Sequence, residues 1–206
     1  MYWYHEDLHR LEKKIASLTK NPEMIFYGSS TFTLWTELTT VFKEHHPVNL
    51  GFGGSTLASC TWFFDRVFEK IKSTEAIVIY AGENDLGEGR HPEEVIMFLE
   101  NLLRKIRKKY GNIPCTYISI KPSINRWHLQ GSIRYTNSNI EKMTATDPNF
   151  HYVNIHDSML NQEGNPKPEN YIGDGLHLSK SGYQLWTTIL NEHNEVFPQK
   201  KLAKTE

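Results

Sequence analysis

Two short fragments, at opposite ends of the chain, carry residue types that can do acyl-transfer chemistry. Near the C-terminus stands Asp174-Gly175-Leu176-His177. An acid and an imidazole three residues apart can face each other across one turn. The carboxylate then holds the ring's Nδ1–H and leaves Nε2 free to take a proton from a nucleophile. Far upstream, Gly28-Ser29-Ser30-Thr31 sits where an apolar run gives way to a helical pattern. Taken singly, each fragment has a commoner explanation. Asp-x-x-His on a turn is usually a solvated capping device, and serine before a helix is usually an N-cap. Only a fold that brings the two ends together makes them a serine nucleophile with its base.

The elements needed for that are legible. Five short runs rich in β-branched and aromatic residues read as buried strands, over 24–27, 47–52, 76–80, 115–120 and 151–155. Helical patterns fall near 31–43, 57–72, 92–110 and 131–146, with a leading helix near 5–19 and a closing one near 179–196. Pro92 with Glu93 and Glu94 suits a first helical turn, and Gly111 sits where a C′ glycine ends that helix. Alternating strands and helices, with continuously apolar strands, imply a parallel sheet covered on both faces. In such open sheets functional groups gather beyond the carboxyl ends of the strands. The first strand ends at Gly28-Ser29-Ser30, the second at Gly51-Phe52-Gly53-Gly54-Ser55 and the third at Ala81-Gly82-Glu83-Asn84-Asp85. The acid–histidine turn precedes the closing helix and reaches the same edge. The loop over 161–173 is the longest irregular stretch and leads directly into Asp174.

Each strand end offers something to a tetrahedral intermediate. Ser30 can present both its Oγ and its own backbone N–H, helped by helix N-terminal polarity. Gly54 can supply a second N–H because no side chain obstructs the approach. Asn84 can point an amide N–H at the same spot. Plainer readings stand beside these. The glycines suit a tight turn, and Asn84-Asp85 suits an Asx-turn or the cap of a short helical turn. The glycine spacing matches neither a P-loop nor a dinucleotide fingerprint. Glu83 and Asp85 are a poor basis for a glycosidase, and Trp35 and Trp62 read as packing. His156-Asp157, ending the fifth strand, is a competing acid–histidine pair. Neighbouring side chains there are expected to diverge, which ranks it second.

Phe26-Tyr27-Gly28-Ser29-Ser30-Thr31, Gly54, Gly82-Glu83-Asn84-Asp85 and Asp174-Gly175-Leu176-His177 together resemble the four blocks of the SGNH (GDSL-type) hydrolases. The resemblance covers roughly 25–183. It implies a three-layer α/β/α fold with a flavodoxin-like, five-stranded parallel sheet and no metal or organic cofactor. It further implies Ser30 as nucleophile, Gly54 and Asn84 as oxyanion donors with the Ser30 N–H, and Asp174 with His177 completing a triad. Two positions depart from the family's pattern. Ser29 stands where the first block usually has aspartate, and Ser55 replaces a common acidic residue after the oxyanion glycine. Anchoring on Gly28 selects Ser30 and puts Trp35 where family members with this first block often carry tryptophan. Tyr-Ala-Gly-Glu-Asn-Asp and Ile-Ser-Ile-Lys-Pro-Ser resemble a bacterial-type branch mostly described as esterases.

The expected function is hydrolysis of short-chain, acetyl-type carboxylic esters, with a small-molecule ester as partner. Thioesters, lysophospholipids and acetylated sugars are alternatives for the same triad, as is a non-catalytic module that keeps the pocket. Arg126 and Trp127, after the fourth strand, are lip candidates for the alcohol part, though a helix-start pair packed on the surface is the slightly preferred explanation.

Composition agrees with a globular hydrolase. The 206 residues are 38% apolar and 23% charged, with formal net charge −1, so no global field favours nucleic acid or an anionic membrane. The basic run Arg104–Lys109 suits a helix C-terminus. Cys60 and Cys115 lie in apolar runs, read as buried free thiols and supply no metal site. The charged N-terminus is unlike a signal peptide and no run is long enough to span a membrane, so a cytoplasmic location is expected. One domain over 1–206 is expected, with a helix over 1–20 packing on it and a frayed tail over 198–206.

Overall fold

A computed structural model describes residues 2–198, with the backbone alone at Tyr2. The tail expected to fray lies, apart from Pro198, outside the described residues. Five strands, β1 (Met24–Gly28), β2 (Pro47–Gly51), β3 (Ala76–Tyr80), β4 (Cys115–Ile118) and β5 (Phe150–Val153), form one sheet. Every pairing is parallel and the order is β2-β1-β3-β4-β5. Helices α1 (His5–Ala16), α4 (Leu57–Val67), α6 (Pro92–Tyr110) and α7 (Gln130–Met143) cover one face. The other is covered by α2 (Ser30–Thr33), α3 (Leu38–Val41) and α8 (Lys180–Glu192), while α5 (Glu83–Gly87) caps the end of β3. This is the parallel sheet covered on both faces that the alternation of elements implied, and the three-layer α/β/α fold that the resemblance implied.

Period-two side-chain direction divides the core. Along β1, Ile25 and Tyr27 join the α1/α4/α6/α7 cluster, while Met24 and Phe26 join the α2/α3/α8 cluster. All four are fully buried, which is why the strand reads as a continuous apolar run. The order reverses between β1 and β3, and the ends of these strands flank that switch point. Gly28 makes their convergence possible. Its φ is +148°, and a Cβ there would lie 1.9 Å from the Tyr80 carbonyl oxygen. In the glycine's absence of bulk, Ser29 N–H donates to that same oxygen at 2.9 Å.

The long helix expected over 31–43 is broken into α2 and α3. Thr31, Phe32, Thr33, Trp35 and Thr36 are β-branched or aromatic and hold a helix weakly. Trp35 instead stacks on Tyr183 of α8 with ring centroids 5.1 Å apart. β4 and β5 stop two residues before their apolar runs do, because side chains replace the ladder. Ser119 Oγ accepts the N–H groups of Ile155 and His156, and the Asn137 amide bonds both N–H and C=O of Ile120. The boundaries of α6 are as expected: Glu94 accepts the His91 N–H at 2.8 Å, and Gly111 closes the helix at φ +71°. The loop over 161–173 is tied locally by Asn161 Oδ1, which accepts from Glu163 and Asn165, and at long range by Tyr171, whose hydroxyl donates to the Pro122 carbonyl.

Candidate active site

Ser29 and Ser30 occupy different positions in the turn after β1. Ser29 is buried, and its Oγ caps α2 by accepting the Thr31 N–H at 3.3 Å. Ser30 opens α2 with its Oγ 3.2 Å from His177 Nε2. The edge strand fixes α2 in place, since Asn49 of β2 donates through Nδ2 to the Phe32 carbonyl at 2.6 Å. From α8, the Tyr183 hydroxyl reaches the Thr31 carbonyl at 2.8 Å and so ties the C-terminal segment to this turn. α2 is only four residues long, so its macrodipole is slight. The helix polarity expected at Ser30 therefore reduces to local N–H groups.

The acid–histidine turn is built around one carboxylate. Asp174 Oδ1 accepts the backbone N–H groups of Leu176 at 2.8 Å and His177 at 2.9 Å, and Oδ2 lies 2.6 Å from His177 Nδ1. Burial acts to raise this carboxyl's pKa. The ring and the two backbone donors outweigh it and hold the group down at about 2. At neutral pH the carboxylate is thus an acceptor only, so Nδ1 must carry the proton. In the neutral form of the ring Nε2 is then bare and can accept the Ser30 hydroxyl. A relay of this form can take a proton from Ser30 and hold the resulting imidazolium beside a negative charge. The site is open, with 27% of the His177 side chain and 42% of the Asp174 side chain exposed.

Asn84 lies in α5, directly after β3. Its Nδ2 donates to the Ser55 carbonyl at 3.0 Å, which joins the third strand end to the Gly53-Gly54-Ser55 loop. Gly54 adopts a left-handed conformation, φ +64°, open to glycine at no steric cost. Arg126, the lip candidate, donates through Nη1 to Asn84 Oδ1 at 2.9 Å. Trp127 begins a short 3-10 turn, Trp127–Leu129, and is partly buried.

Several supporting residues were not singled out from the sequence. The N-terminal segment braces the glycine loop: Tyr4, just before α1, donates through its hydroxyl to the Gly54 carbonyl at 3.0 Å, Asp7 accepts the Gly53 N–H at 3.0 Å, and Arg10 donates to the Gly51 carbonyl at 2.9 Å. Asp85 caps neither its own turn nor α5. Its carboxylate accepts the N–H groups of Leu57 at 2.7 Å and Ala58 at 3.3 Å, across to the start of α4. Behind Asn84, Lys121 and Glu83 form a buried ion pair, with the Tyr80 hydroxyl also on Glu83. Burial pushes the Lys121 ammonium below its ordinary pKa, and the Glu83 carboxylate counters this. A charge at the end of the apolar run Ile118-Ser119-Ile120 was the available signal for Lys121. Nothing in the local sequence marks Tyr4, Asp7 or Arg10.

The second acid–histidine pair corrects one expectation. His156 and Asp157 do not diverge: Nδ1 lies 2.9 Å from Asp157 Oδ1. His156 has left the strand for helical dihedrals, φ −57° and ψ −52°, so the strand rule of opposite faces no longer applies. Its Nε2 faces the Gln130 side-chain amide at 2.9 Å and meets no serine.

Solved structures resemble this fold over most of its length. A protein of Streptococcus pneumonia named for platelet activating factor superposes with a TM-score of 0.78 at 21% identity, covering 93% of this chain and 94% of that one. A GDSL-like lipase of Bacteroides thetaiotaomicron gives 0.76 at 18% identity, covering 90% and 95%. A lipase/acylhydrolase of Enterococcus faecalis gives 0.69 at 17%, covering 86% and 98%. At these identities the likeness speaks to the fold. Among curated proteins none matches the chain. The model of the GDSL-like Lipase/Acylhydrolase family matches residues 19–185, from just before β1 into α8. That span includes all four strand-end and turn segments described above, and by it the chain belongs to the GDSL-like, or SGNH, family of hydrolases.

Proposed function

We propose that this single-domain chain is a carboxylic ester hydrolase acting through an acyl-enzyme on Ser30. The observation that carries the reading is the unbroken relay from Asp174 Oδ2 to His177 Nδ1, and from His177 Nε2 to Ser30 Oγ. Its members come from opposite ends of the sequence, and a turn cap alone gives no reason for a serine to sit at that nitrogen. In the first half-reaction Ser30 Oγ adds to the ester carbonyl as its proton passes to His177 Nε2. The tetrahedral intermediate collapses, the C–O bond to the alcohol breaks, and His177 returns the proton to the departing oxygen. Water then repeats these steps on the acyl-enzyme and releases the acid. Asp174 stays ionised and stabilises the imidazolium. The N–H groups of Ser30 and Gly54 and one N–H of Asn84 are assigned to the developing oxyanion, where each donor is worth about 3–4 kcal/mol.

Short acyl groups such as acetyl are assigned to the acid side on the family resemblance, with Trp127 assigned to the alcohol side. Turnover of p-nitrophenyl acetate by the purified protein, compared with Ser30→Ala and His177→Ala, tests the assignment. Both variants should lose most of kcat. Unchanged turnover in both would overturn it. Reaction of the wild type with a fluorophosphonate probe tests for an activated serine independently, and a wild type that resists labelling favours a non-catalytic binding module.

A further inference from the structure

The Asn84 amide is committed on two of its three sides. One N–H is taken by the Ser55 carbonyl at 3.0 Å, and Oδ1 is taken by Arg126 Nη1 at 2.9 Å. A primary amide carries two N–H groups, so a single N–H remains, its direction set by the other two bonds. Arg126 also decides which way round the amide sits. With a cation donating to Oδ1, the amide cannot turn over and present its oxygen where an N–H is needed. A hydrogen bond from an ionised donor is shorter and stronger than a neutral one, and it draws charge off the amide and sharpens the remaining N–H as a donor.

The chain makes room for this contact. Gly87, at the end of α5, lies against the guanidinium: a Cβ there would stand 2.8 Å from Arg126 Cζ and 2.9 Å from Nε. Gly87 is not among the glycines of positive φ, so alanine fits the backbone at this position. What alanine does not fit is the arginine. The small residue is thus explained by the guanidinium it accommodates.

We propose that Arg126 is a positioning residue that acts through Asn84, fixing and polarising the oxyanion donor, and does not itself contact the substrate. The inference rests on the ester-hydrolase reading and adds to it a residue that the mechanism otherwise leaves unused.

The test is a double-mutant cycle on p-nitrophenyl acetate with Arg126→Ala, Asn84→Ala and the pair, together with Gly87→Ala. Loss of a whole oxyanion donor costs about 10²–10³ in kcat. Misdirecting that donor should therefore lower kcat in Arg126→Ala by up to about 10²-fold, with KM unchanged. In the Asn84→Ala background, removing Arg126 should cost nothing further. Gly87→Ala keeps the arginine and its charge but displaces it, and should reproduce the fall in kcat without a lower thermal midpoint. Losses that multiply in the double variant, or a raised KM at unchanged kcat, would show that Arg126 touches the substrate and would overturn the inference. A wild type that neither turns over the ester nor takes a fluorophosphonate label overturns the underlying hydrolase reading, and this inference with it. Multiplying losses in an active enzyme overturn only the role of Arg126.

Discussion

Replacing Asp174 by asparagine separates the orienting role of this residue from its charge. The carboxylate has two oxygens, one on the backbone N–H groups of Leu176 and His177 and one on the ring. An amide has only one acceptor oxygen. Two backbone donors at 2.8 and 2.9 Å outweigh one ring nitrogen, so the oxygen goes to the backbone and the NH₂ turns to Nδ1. A donor facing Nδ1 requires that nitrogen to be bare, and the ring proton moves to Nε2, where it opposes the Ser30 hydroxyl. The tautomer is then wrong for general-base catalysis. In the serine-protease case an error of this kind costs about 10⁴ in kcat, or roughly 5 kcal/mol of barrier. Stability should hardly change: the turn keeps both backbone bonds, and a pair this exposed contributes no more than about 1 kcal/mol. The assay is kcat on p-nitrophenyl acetate beside a thermal unfolding midpoint. A variant within about tenfold of wild type would refute the tautomer argument. So would a loss of activity that merely tracks a collapse of the midpoint.

Two further outcomes follow from groups outside the relay. Asp85→Ala frees two N–H groups at the start of α4, and urea unfolding should show a loss of about 1–2 kcal/mol at unchanged m-value. Part of the hydrogen-bond gain is already offset, because burial raises the Asp85 pKa against the pull of those same N–H donors. An unchanged midpoint would mean that Thr56, which also caps this helix, suffices alone. Burial lowers the pKa of His156 against the opposing pull of Asp157. Its contribution to stability is therefore present above the unfolded value of about 6.5 and is lost as pH falls through the folded one. Unfolding midpoints should drop more steeply on acidification in wild type than in His156→Gln. Parallel pH profiles would remove His156 from the account.

How much was legible follows from the range of each signal. Strand positions were readable because burial on both faces leaves no polar residue in segments such as Ile25-Phe26-Tyr27 or Ile77-Val78-Ile79. The ends of α6 were readable because Pro92, Glu94 and Gly111 act within one turn. Ser30 and Asn84 stood out because parallel strands deliver their carboxyl ends to one edge, and the family resemblance joined them to Asp174 and His177. Long-range side-chain-to-backbone bonds left no local trace. Asp85 looked like a cap for its neighbours and caps a helix that begins 28 residues earlier. Arg126 was read as a lip candidate or a surface-packed helix start, and its bond to Asn84, 42 residues away, left no local trace. The break between α2 and α3 is a tertiary preference of Trp35 for α8, which no window of propensity contains. His156-Asp157 was misjudged because a strand rule was carried one residue past the strand.

The contact between Ser30 and His177 spans 147 residues, among the longest closures in the chain. The sheet that holds Ser30 is complete by Val153, with the base still to come. A chain emerging from the ribosome can therefore pair all five strands while its serine remains chemically inert. On the proposed mechanism Ser30 gains its base only with α8 in place, where the Tyr183 hydroxyl reaches the Thr31 carbonyl and the rings of Tyr183 and Trp186 pack on Trp35. During refolding, ellipticity should return before turnover does. On that mechanism, turnover reports the docking of α8, and a chain without that helix carries Ser30 but not its base.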